Sequence, residues 1–239
     1  MGKPKSEPRA AWADTESPEQ KKRRARLVFR RLEKIYPDLR TALDHDNPFQ
    51  LLVATVLSAQ STDKMINTIT PALFERWPRP EDFLASKPGE IEQMIHKSGF
   101  FNQKAKSIRG LCAGLVERFG GQVPRTMAEL ITLPGVARKT ANVVLANAFG
   151  INEGIAVDTH VHRLSWRLAF SDHDDPVKVE RELMGLMPRP KWFAVTHLLI
   201  EHGRAVCLAR VPRCEECVVS DKCPASRLAT KPPKRRTPA

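Results

Sequence analysis

The sequence predicts an all-α protein. Apolar residues recur at helical spacing along most of the 239-residue chain, alternation with a period of two is nearly absent, and tyrosine occurs only once. That length buries a substantial core as one domain or as two.

Residues 1–20 read as a disordered basic tail, because positions 1–18 are rich in Pro, Lys, Ala and Glu. A basic amphipathic helix follows from about Glu19 to Tyr36, with Leu27, Val28, Leu32 and Ile35 on one face. Asn47-Pro48 marks a helix start, an N-cap followed by proline at the first helical position, and leads into the apolar run Phe49–Leu57. Small polar residues, Ser58–Asp63, break that run. Helices are predicted over Lys64–Arg76, around Phe83 and over Glu90–His96. From Asn102 to Phe119, the positions Ile108, Leu111, Cys112, Leu115, Val116 and Phe119 form a broad apolar stripe, with Lys104, Lys106 and Arg109 assigned to the other side. Thr126 and Glu129 have the spacing of a capping box and predict a short helix. Further helices are expected over Thr159–Phe170, Pro176–Met187 and Trp192–Val206, before a second polar, basic tail at residues 225–239. No internal repeat of fixed period is visible.

The net charge of +12 is concentrated at the ends. Residues 1–40 hold 12 basic and 6 acidic side chains and residues 222–239 hold 6 basic and none acidic, so residues 41–221 balance at 21 against 21. Within that body the charge is segregated: residues 97–139 carry 8 basic and 2 acidic residues, whereas 41–96 carry 4 and 8. A basic block of this kind is what a phosphate-binding face requires. No apolar run approaches the length of a membrane span, and the first twenty residues lack the apolar core of a secretory signal, so a soluble intracellular protein is expected.

The basic block ends on Leu133-Pro134-Gly135-Val136, a tight turn followed at once by a helical run with Ala141, Val144, Leu145 and Ala148 on one face. Helix, glycine hairpin, helix is the local reading. Such a hairpin aims backbone N–H groups at solvent and forms a nest for an anion, which on nucleic acid is a phosphate. Arg138 and Lys139 occupy the first turn, where the macrodipole opposes a positive charge. An amine that sheds its proton is a nucleophile; the plainer reading of Lys139 is a solvated surface lysine.

Cys207, Cys214, Cys217 and Cys223 give the spacing C-x6-C-x2-C-x5-C. In an intracellular protein this pattern points to a metal rather than to disulfides, and zinc is the ordinary default for four cysteines. Cys112, on the apolar stripe, reads as core packing.

LPGVARKTA at Leu133–Ala141, followed by VDTH at Val157–His160, resembles the helix-hairpin-helix and catalytic segment of the endonuclease III family of DNA glycosylases. The resemblance runs from about Lys21 to Pro224. In one place the chain departs from the family's Gly-Val-Gly: Ala137 stands at the second glycine, and a negative φ there accommodates its methyl group.

The resemblance implies a six-helix domain with the hairpin at residues 42–150, and a helical iron–sulfur domain made from residues 21–41 and 151–224. It implies a substrate groove between them, with Lys139 and Asp158 facing each other across it. The cysteine order after HGRAVC is similar to the family's [4Fe–4S] loop, so the resemblance favours a cluster over zinc, with Arg204, Arg210 and Arg213 on or beside that loop as candidate phosphate contacts. Gly135, Ala137 and Arg138 would grip the backbone, and Gln60 would fill the space left by a flipped base. The loop Gly99-Phe100-Phe101-Asn102 would supply a second wedge, Phe100 standing where an aliphatic residue is common. Lys139 would attack C1′ and Asp158 would assist it; as a helix N-cap, Asp158 also has a structural reading.

The function implied is excision of oxidised pyrimidines from duplex DNA, with β-elimination at the abasic site, by a monomer. Two alternatives stand beside it. A monofunctional glycosylase for mispaired adenine would have a small residue in place of Lys139 and usually a further domain. A non-catalytic iron–sulfur DNA-binding protein would have no use for the Lys139–Asp158 pair.

Overall fold

The computed structural model describes residues 8–228 as helices joined by turns, with no strand among them. It forms two compact units, one of Arg40–Glu153 and one of the residues up to Leu39 together with those from Gly154 onward.

In the Arg40–Glu153 unit the central helix is α2 (Pro48–Leu57), buried at every position from Phe49 to Leu57 except Gln50. Its start is set by Asn47, whose Oδ1 accepts the Gln50 N–H at 3.0 Å. Around it lie α3 (Asp63–Arg76), α4 (Pro80–Leu84), α5 (Glu90–Met94), α6 (Phe101–Phe119), the short α7 (Met127–Leu130) and α8 (Arg138–Phe149). Helix α2 packs against α3, α6 and α8, and α4 lies on α6. Thr126 caps α7 by accepting the Glu129 N–H, but the Glu129 carboxylate accepts from the Thr126 hydroxyl instead of from the cap's own N–H.

The other unit contains α1 (Pro18–Ile35), α9 (Thr159–Arg167), α10 (Pro176–Leu186) and α11 (Trp192–Ala205). Helix α11 packs against α9 and α1, and α10 against α1 and α9. Their shared core includes Val28, Phe29, Leu32, Leu164, Leu183 and Leu198.

Two expectations are corrected. Residues 8–20 are not a disordered tail. Arg9 donates to the Trp166 carbonyl at 3.1 Å and pairs with Asp172 at 2.6 Å, while the Ala10 N–H donates to Pro224 O at 2.8 Å. Glu16 pairs with Arg24 at 2.7 Å, both side chains less than a tenth exposed, and the Arg24 guanidinium also covers the rings of Trp12 and Phe170. Specific polar and cation–π contacts anchor a segment whose composition reads as solvated. The second tail likewise begins later than residue 225, since Ser226 is buried and Ala225 N–H donates to Arg167 O. Residues 1–7 and 229–239, also assigned to tails, lie outside the described residues.

The second correction concerns Lys104, which is 5% exposed and does not stand on the polar side of α6. Position 104 lies one turn before Ile108, on the apolar stripe itself.

Candidate nucleic-acid interface and cysteine cavity

The hairpin is seated on α6 by missing side chains. Gly135 has φ +78°, and a Cβ there would stand 2.9 Å from Ser107 Cβ and 3.4 Å from Val56 Cγ1. On α6, a Cβ at Gly110 would lie 3.1 Å from the Pro134 ring, and one at Gly114 would lie 2.8 Å from Leu133. Ser107, Gly110 and Gly114 therefore form a small-residue seat that the sequence reading missed. The available signal was two glycines four apart inside a helix, each costing about 1 kcal/mol unless close packing requires it.

Ala137 is the N-cap of α8 with φ −85°, a conformation any residue adopts, so its methyl group fits as expected. It provides no side-chain cap, and the first turn of α8 contains no acidic residue. Arg138 is half-buried there and Lys139 is exposed.

Three non-glycine residues have positive φ among those described: Gln60 at +53°, Phe100 at +49° and Ala169 at +50°. Two of the three are predicted site residues. Left-handed backbone in such residues costs free energy and concentrates at functional sites. Gln60 and Asn102 are exposed, and Phe100 is 66% exposed, the most of any large apolar residue described. Val56, which closes against Gly135, stands one turn before Gln60 in the chain.

The basic block is only partly available to a partner. Lys104 is buried, Arg109 donates to the Ser86 and Lys87 carbonyls, Arg118 bonds to Thr132, and Arg125 covers Phe149. Lys97, Lys106 and Lys139 are exposed, as are Arg118 and Arg125 despite these contacts.

Asp158 belongs to the other unit from Lys139. It caps α9, its Oδ1 accepting the Val161 N–H at 2.8 Å, and it is half-buried. Burial lowers His160 and His197 below the ordinary imidazole range, His197 to about 4, although the Asp158 carboxylate pulls both upward. Both rings are thus neutral at pH 7. Arg163 donates to His160 Nδ1 at 3.2 Å, to Gly203 O at 3.0 Å and to Cys207 O at 3.1 Å, tying α9 to the cysteine loop. Gly203 makes that approach possible, because a Cβ there would stand 2.8 Å from His160 Nδ1.

Cys207, Cys214, Cys217 and Cys223 are free thiols that line one cavity together with Arg167. Arg167 is 2% exposed and donates to Cys207 Sγ at 3.2 Å, to Leu208 O at 2.7 Å and to Ala209 O at 2.9 Å. His202 Nε2 lies 3.3 Å from Cys217 Sγ. Burial pushes the Cys207 thiol up, Cys217 to about 11 and Cys223 to about 12. Among the described residues no three His, Cys, Asp or Glu side chains close on one point as a single ion requires; the thiols surround a shared space instead. Of the neighbouring arginines, Arg204 pairs with Glu201, Arg213 pairs with Glu216 and donates to Ala205 O, and Arg210 is exposed.

A glycine hairpin seated between packed helices, with a lysine just beyond it, defines a class: residues 53–189 match the HhH-GPD superfamily of base excision DNA repair proteins, and the chain belongs to it. Within that class it belongs to the endonuclease III family. It is 53% identical over 209 residues to endonuclease III of Synechocystis sp., covering 87% of this chain and 95% of that one. With endonuclease III of Bacillus subtilis it shares 46% identity over 196 residues, 80% of this chain and 89% of the relative. Among solved structures, a trapped endonuclease III–DNA covalent intermediate matches with TM-score 0.84 and 43% identity, over 88% of this chain and 99% of that one.

Proposed function

We propose that this chain is a bifunctional DNA glycosylase and abasic-site lyase that removes oxidised pyrimidines, with Lys139 as the nucleophile. The observation that carries the assignment is the placement of Lys139: exposed, in the first turn of α8, directly beyond a hairpin that Gly110, Gly114 and Gly135 hold against α6. Membership of a base-excision family and the covalent DNA intermediate of a relative point the same way.

A stacked base is out of reach, so it must leave the helix before its glycosidic bond is attacked. Backbone N–H groups at Gly135–Lys139 hold a phosphate. Gln60 and Phe100, exposed on left-handed turns, enter the space the base vacates. The neutral amine of Lys139 bonds to C1′ as the C–N bond to the base breaks, and the base leaves with the electron pair. The sugar ring opens to a Schiff base. Loss of a C2′ proton then expels the 3′ phosphate. Asp158 stabilises positive charge developing on the sugar.

The four thiols fit a [4Fe–4S] cluster. They are soft donors with no disulfide among them, gathered around a common cavity, with the Arg167 cation beside Cys207 Sγ to offset thiolate charge. When bound, the cluster supplies rigidity to a loop otherwise held by Arg163 and Arg167.

Duplexes carrying thymine glycol, 5-hydroxycytosine or an abasic site test the function. Base release together with strand cleavage is expected; base release without cleavage would overturn the bifunctional reading.

A further inference from the structure

Lys104 is a buried cation with one acceptor. Its Nζ donates to the Ser98 carbonyl at 2.7 Å, and no carboxylate among the described residues pairs with it. Burying an ammonium group costs several kcal/mol unless something answers it, whereas methionine would fill the same space without that cost. The cation therefore needs a reason.

That reason lies between its two anchor points. Ser98 ends the 3-10 turn His96–Ser98 and is itself 2% exposed, and a cation at such an end also meets the turn's free carbonyls favourably. Lys104 stands in the first turn of α6, its own N–H donating to Phe100 O at 3.1 Å. Only Gly99 and Phe100 separate the turn from the helix. Gly99 has φ +69° and ψ 156°, a conformation almost confined to glycine, and Phe100 has φ +49°. A glycine-only turn, one strained residue and its largely exposed aromatic ring are thus closed from beneath by an ammonium-to-carbonyl bond. Nothing lies within 4 Å of a Cβ built on Gly99, so no neighbouring side chain presses on the loop at that position, whereas Ser98 and Phe101 on either side are packed.

We propose that Lys104 is the brace that holds the Ser98–Phe101 loop in its strained form, so that Phe100 stands ready to enter the duplex as the damaged base leaves. Lys104 is a positioning residue and acts through Phe100; the inference rests on the reading of Phe100 as a wedge. The loop is prepared before DNA arrives, and so the ordering cost is not met at the moment of base extrusion.

The test compares Lys104→Met, Phe100→Ala and the double variant on duplexes carrying thymine glycol, with 2-aminopurine opposite the lesion to report entry of the ring. Lys104→Met is expected to slow base excision by about tenfold or more, the scale of a misplaced group. It should abolish most of the fluorescence rise and leave cleavage of a pre-formed abasic site nearly unchanged. Amide exchange of Gly99, Phe100 and Phe101 should quicken in Lys104→Met. The double variant should be no slower than Phe100→Ala, because both changes remove one function. Additive losses, or unchanged exchange in the loop, would overturn the brace. If Phe100→Ala alone leaves excision and fluorescence intact, the wedge reading fails and the proposal with it. If Phe100→Ala impairs both and Lys104→Met neither, the wedge stands and the brace falls. Should Lys104→Met fail to fold, Gly99→Ala strains the same loop without a clash and is expected to show the same loss.

Discussion

At the scale of single residues, chemistry is assigned to two side chains and can be separated by substitution. Lys139→Gln should abolish base release and strand cleavage while duplex binding survives, because the hairpin's backbone N–H groups do not depend on that side chain; gel-shift and cleavage assays on one duplex check both. Asp158→Asn should slow base excision by about two decades, the usual scale for one aimed electrostatic group, and should slow cleavage of a ready-made abasic site much less. His197 gives a prediction in pH. Burial holds it at about 4 in the folded chain against 6.5 ordinarily, so between those values the unfolded state binds the extra proton. Stability is therefore complete above pH 6.5 and is lost as pH falls toward 4, at up to about 1.4 kcal/mol per pH unit from this group. His197→Leu should flatten that slope in acid-range urea melts; an unchanged slope would assign the loss elsewhere. At this scale the sequence was most misleading where a charge was turned inward. Lys104 looked like a surface residue because its stripe position was read from its charge and not its spacing. Within the basic block, Arg109, Arg118 and Arg125 also engage carbonyls, a hydroxyl and a ring of the chain itself, although Arg118 and Arg125 stay exposed.

At the scale of elements, most helices were legible because their signals are local. Asn47-Pro48 starts α2 where expected, and the stripe from Ile108 to Phe119 lies within α6. Local signals do not report which distant surface an element meets. The seat at Ser107, Gly110 and Gly114 depends on contact with a hairpin 19 to 28 residues away. The N-terminal strap is similar: nothing near Glu16 in the sequence announces Arg24, and nothing near Arg9 announces Asp172. The strap should contribute to stability. Glu16→Ala leaves the Arg24 guanidinium buried without its carboxylate and is expected to cost about 3 kcal/mol, read from thermal or urea melting. A change below experimental error would show that the carbonyls of Leu168 and Lys222 satisfy Arg24 unaided.

At the scale of the whole molecule, the family assignment was legible from a few short motifs, because hairpin, aspartate and cysteine loop each keep their chemistry in contiguous residues. The cysteine loop gives a test of composition. Purified protein should contain about four irons per chain with matching sulfide, and Cys217→Ser should impair folding or DNA affinity more than chemistry on bound substrate. A colourless protein holding stoichiometric zinc would contradict the cluster. The central claim is that the amine of Lys139 bonds to the sugar, and borohydride trapping tests it most directly, since reduction fixes the Schiff base permanently. Incubated with an oxidised-pyrimidine duplex and borohydride, the wild-type chain should migrate as a covalent protein–DNA species and Lys139→Gln should not. If Lys139→Gln is trapped as efficiently as wild type, another amine is the nucleophile and the account is wrong.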